Sequence, residues 1–67
     1  MSRSETISIV EGLTDFYGER HPDKSDILIS GVTDMTSGWE TELYAYVLEY
    51  KEKGIFHRER AVARLHS

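Results

Sequence analysis

Several places in this 67-residue chain carry residue types that could do chemistry. At Ser37-Gly38-Trp39 a glycine sits at a chain reversal, where the backbone can approach phosphate oxygens closely. The Ser37 hydroxyl and the N–H groups of Gly38 and Trp39 would then be the anion donors. Arg64 lies near the end of the last alternating segment, and its guanidinium can grip a phosphate in bidentate fashion. Asp15, Glu19, Glu40 and Glu42 are of the types that serve as paired acid and base, but acidic residues on helix and strand surfaces are ordinarily solvated. His21, His57 and His66 are far apart and lack a compact metal-ligand spacing. No histidine is placed by sequence to activate Ser37 as a nucleophile. The expectation is therefore no metal site and no catalytic residue. Ser and Gly are also ordinary turn residues, and Arg64 follows Arg58 and Arg60 as in a solvated strand. What singles these features out is their order along the chain.

The elements that must position them are readable from periodicity. Ile7, Val10, Leu13, Phe16 and Tyr17 recur at spacings of three and four, which predicts an amphipathic helix over about 4–20, with Ile9 widening the stripe. Ser2 or Ser4 can cap the first turn, Ser2 and Glu5 have capping-box spacing, and Gly18 and Pro22 are the stop signals. A strand through Thr6-Ile7-Ser8-Ile9-Val10 is the competing reading, but alternation fails beyond it. Ile27, Ile29 and Val32 predict a first strand over about 27–36, weakened or bulged at Gly31. Residues 39–50 predict a second strand, with Glu42, Tyr44, Tyr46, Leu48 and Tyr50 on one face and Thr41, Leu43, Ala45 and Val47 on the other. The tyrosine stripe is expected to pack beneath the helix. So long a strand is expected to end in a protruding hairpin. Residues 55–65 make the third strand. A four-residue turn over Lys51 to Gly54 would set Tyr50 opposite Ile55, Leu43 opposite Val62 and Thr41 opposite Arg64, gathering Thr41, Leu43, Val62 and Arg64 on one face. The expected fold is α+β: an N-terminal helix followed by a three-stranded antiparallel meander.

Composition narrows the functions. A chain this short forms one small domain that buries roughly 60% of its unfolded surface. It has no cysteine, hence no disulfide and no cysteine-based metal site. A net charge of -4 supplies no basic field for a nucleic acid backbone. No apolar run reaches the ~20 residues of a membrane span, and the N-terminus lacks a signal-peptide layout. The cytoplasm is the expected location.

Thr36-Ser37-Gly38-Trp39-Glu40-Thr41-Glu42-Leu43-Tyr44 followed by Ala61-Val62-Ala63-Arg64-Leu65 resembles the start of the small lobe in the aminoglycoside phosphotransferase and choline-kinase-like branch of the protein-kinase fold. There a helix precedes a strand, a loop of type S-G-G-x-x-N-x-x-Y, a long strand, and a third strand ending like V-L-R-L or V-L-K. This chain has one glycine where two are frequent and Thr41 where Asn is common. Arg64 stands at the nucleotide-clamping lysine. The resemblance implies a cofactor-binding set of Ser37, Gly38, Trp39, Leu43, Val62 and Arg64, with Leu43 and Val62 as an apolar ceiling for adenine.

What the resemblance implies for the parent protein is transfer of the γ-phosphoryl of ATP, with Mg²⁺, to a hydroxyl of a small molecule. The family's glutamate partner, catalytic Asp and metal-binding Asp would lie beyond Ser67. The chain is therefore expected to be an inactive fragment of the nucleotide-binding lobe, needing no cofactor to fold. The alternative is a stand-alone interaction module that self-associates through its sheet face.

Overall fold

The computed structural model describes residues 2–38 and 42–65. A helix, α1 (Arg3–Arg20), precedes three strands, β1 (Lys24–Asp34), β2 (Glu42–Glu52) and β3 (Ile55–Leu65), in one antiparallel sheet of order β1-β2-β3. This is the α+β arrangement that the periodicity predicts. The Ser2 side chain caps α1 by accepting from Glu5 N–H at 3.2 Å, which satisfies one of the free donors of the first turn. Gly18 does not end the helix, which runs on to Arg20 before His21 and Pro22.

The core lies between α1 and one face of the sheet. Leu13, Ile29, Tyr46, Leu48 and Tyr50 are buried together, with Ile9, Val10, Tyr17, Ile27 and Val32 packed against them. Tyr44 is buried on the same face of β2. The helical stripe is thus centred on Leu13 and Tyr17, while Ile7 and Phe16 stay 48% and 46% exposed. At about 100° per residue those two lie roughly 180° apart around the axis, so one narrow sheet cannot take both.

Ile29 and Val32 are three apart and would face opposite sides of a regular strand. Between Ser30 and Thr33 β1 advances three residues while β2 advances two, from Val47 to Ala45, and Gly31 sits there at φ +60°. That bulge turns both Ile29 and Val32 toward the helix. A second irregularity, between Ser25 and Leu28, holds Asp26 at φ 53°.

The β2–β3 register corrects the expected one. Lys53 and Gly54 both have positive φ, 53° and 76°, the condition for a two-residue type I′ turn, and Glu52 pairs with Ile55. Tyr50 therefore faces His57, Leu43 faces Arg64 and Val62 faces Ala45; Thr41 lies outside the described residues. The shift is two residues, so each side chain keeps its face. Nor does the hairpin protrude beyond the sheet, because Lys24 at the start of β1 pairs with Glu52 at the end of β2.

Candidate functional site

The sheet has one covered and one open face. On the open face β1 contributes Leu28, Ser30 and Thr33, β2 contributes Leu43, Ala45, Val47 and Glu49, and β3 contributes Phe56, Arg58, Arg60, Val62 and Arg64. Leu43 and Arg64 are direct cross-strand partners, and Val62 precedes Arg64 on the same face. Three of the expected site residues are thus brought together. Ser37 and Gly38 lie in the β1–β2 connection at the same end of the sheet, both exposed, with Gly38 at φ +80°. Trp39 lies outside the described residues.

The root of that connection is fixed by side chains that the sequence reading did not single out. Met35 N–H donates to Leu43 C=O at 2.8 Å, and Leu43 N–H donates to the Thr36 hydroxyl at 3.0 Å. The Asp34 carboxylate accepts from Thr36 N–H at 2.8 Å, an Asx turn. The Thr36 hydroxyl, then its backbone N–H, hold the Asp34 carboxyl below its ordinary value of 3.8, so Asp34 is an anion at neutral pH. A phosphate at this turn must therefore draw its attraction from Arg64 and the turn's backbone donors against a nearby carboxylate. The D-x-T spacing was the signal available for this staple.

The arginines that the sequence presents as a solvated run form a column. Arg58, Arg60 and Arg64 occupy positions of the same parity in β3 and share the open face with Val62. Among the described residues none of the three is in an ion pair. A hollow of about 440 Å³ opens beside Arg60, lined by Gly31, Thr33, Ala45, Val47 and Val62.

The covered face is tied down by tyrosines. Tyr17 and Tyr46 share a hydroxyl–hydroxyl hydrogen bond of 2.6 Å across the helix–sheet interface. Burial first, then the Tyr17 hydroxyl, push the Tyr46 phenol well above its ordinary value of 10. Lys24 lies 4.8 Å from the centre of the Tyr50 ring and 3.5 Å from Glu52, and Tyr50 stacks on His57 at 4.9 Å. Since α1 packs on the β1 side, a groove of about 610 Å³ remains beside β3, between Ile9, Gly12 and Phe16 of the helix and Val62, Ala63 and Arg64 of the strand.

Among the described residues the candidate carboxylates are not assembled. Asp15 and Glu19 are exposed in the second half of α1, whereas Glu42 lies near Ser4 and Glu5 and accepts from the Tyr44 hydroxyl at 3.2 Å; Glu40 lies outside the described residues. Among the described residues no group of three or more His, Asp or Glu side chains is placed to hold a metal ion, and no helix is long and apolar enough to cross a membrane. The open face thus sets a cation beside apolar side chains, with an exposed turn at the same end of the sheet. Family models, curated proteins and solved structures were each compared with the chain, and none matches it.

Proposed function

We propose that the chain is the nucleotide-binding part of a small-molecule phosphotransferase lobe, a cytoplasmic fragment that binds a nucleoside triphosphate weakly and does not catalyse transfer alone. The resemblance makes that nucleotide ATP, with Mg²⁺ in the parent. One observation carries the reading: Leu43 and Arg64 oppose each other on the uncovered sheet face, with Val62 alongside and the Gly38 turn at the same end. Apolar side chains offer a surface to a base, and the cation offsets phosphate charge. Transfer itself needs metal-holding carboxylates and usually a positioned base.

Isothermal titration with Mg-ATP tests this. Weak, saturable binding by the wild-type chain should fall about tenfold in Arg64→Ala, the order of one charge-assisted contact. Equal binding by both proteins would overturn the assignment of Arg64. A second reading, self-association through the same face, is favoured by Leu28, Phe56 and Val62, which remain 56–58% exposed there. Concentration-dependent sedimentation abolished by Val47→Glu would select that reading.

A further inference from the structure

The open-face hollow contains a group that the nucleotide reading leaves unused. All three strands contribute to it: Gly31 and Thr33 from β1, Ala45 and Val47 from β2, Arg60 and Val62 from β3. Small residues make the depression. A Cβ added at Gly31 would meet Val47 Cγ2 at 3.7 Å, so a side chain there would occupy the hollow, and Ala45 reaches only one carbon above the sheet. Its floor is thus aliphatic and can support the flat face of a heterocyclic base.

The polar groups sit in an ordered sequence along β3. Arg64 is opposite Leu43 next to the turn, Val62 is opposite Ala45 in the middle, and Arg60 is opposite Val47 at the far side. Two residues of strand span about 6.6 Å, so the two guanidinium-bearing positions are about 13 Å apart with the apolar floor between them. A nucleotide with its phosphates at Arg64 and the turn lays its base over Ala45 and Val62. The base edge remote from the sugar then points at Arg60.

Arg60 carries only donors. It can donate to the O6 and N7 acceptors of guanine, whereas adenine presents an amino donor at the corresponding position. We propose that this hollow is a base subsite selecting a 6-oxopurine nucleotide, with Arg60 as the specificity-determining residue. The Thr33 hydroxyl donates to Gly31 C=O at 3.3 Å, so its proton is taken up within β1 and the choice of base rests on Arg60. The inference rests on the nucleotide reading and changes which nucleotide the site prefers.

Titration of the wild-type chain with Mg-GTP, Mg-ITP and Mg-ATP tests it, with thermal melts confirming that each variant is folded. GTP and ITP should bind about tenfold more tightly than ATP, the order of one good base contact. Arg60→Met should weaken GTP and ITP binding about tenfold, to the level of ATP, and so remove the discrimination. Arg60→Gln should move the preference toward ATP, because a glutamine amide can both donate to and accept from adenine. Equal affinities for GTP and ATP in the wild type, or a preference unmoved by both substitutions, would overturn this inference and leave the nucleotide site standing. Binding of none of the three nucleotides would overturn the site and the inference together.

Discussion

Tyr46 shows what single residues contribute. Its hydroxyl is paired with Tyr17 at 2.6 Å, and burial with that bond favours the neutral phenol. A folded-state pKa above the unfolded value of about 10 gives stability that is complete below pH 10 and is lost as pH rises further. Tyr17→Phe should cost about 1 kcal/mol at pH 7, the net worth of one hydrogen bond. It should also make Tyr46 ionise at lower pH, read from phenolate absorbance during alkaline titration. An unchanged titration curve would mean that burial alone sets the shift. The tyrosine stripe was legible from alternation, and so was its place under the helix. The Tyr17–Tyr46 bond was not, because it depends on how far the helix turns about its own axis. The arginine column was visible as parity in β3 but reads equally as a solvated edge.

At the scale of elements, the helix and three strands follow from apolar spacing, and their observed bounds differ from the expected ones by no more than three residues except where the start of the second strand falls outside the described residues. The register did not follow, and one residue explains why. A two-residue type I′ turn ordinarily announces itself as Asn-Gly or Asp-Gly. Here the first central position is Lys53 at φ 53°, a left-handed conformation that lysine adopts at a cost. Lys53→Asn should therefore stabilise the hairpin by about 0.5 kcal/mol. The check is a higher urea midpoint with an unchanged m value. A lower midpoint would mean that the lysine side chain contributes something its turn geometry does not reveal. The Gly31 bulge, in contrast, was readable, since Ile29 and Val32 cannot both be core residues without an extra residue between them.

On the scale of the molecule, one helix cannot cover both faces of a three-stranded sheet. That limit was legible from length, but which end of the open face carries charge required the register. The two-residue shift puts Arg64 against Leu43 instead of against Thr41, while leaving both on the face expected of them. The open face thus combines Leu43, Val62 and an arginine column beside a glycine turn, and the proposed function requires that this combination receive a nucleotide. An amide-resolved NMR titration with Mg-ATP at two protein concentrations tests it most directly. Saturable shifts at Ser37, Gly38, Leu43, Val62 and Arg64, the same at both concentrations, are expected if the face receives a nucleotide. Shifts along Leu43, Val47 and Val62 that follow protein concentration, with none caused by nucleotide, would contradict it and assign the face to self-association.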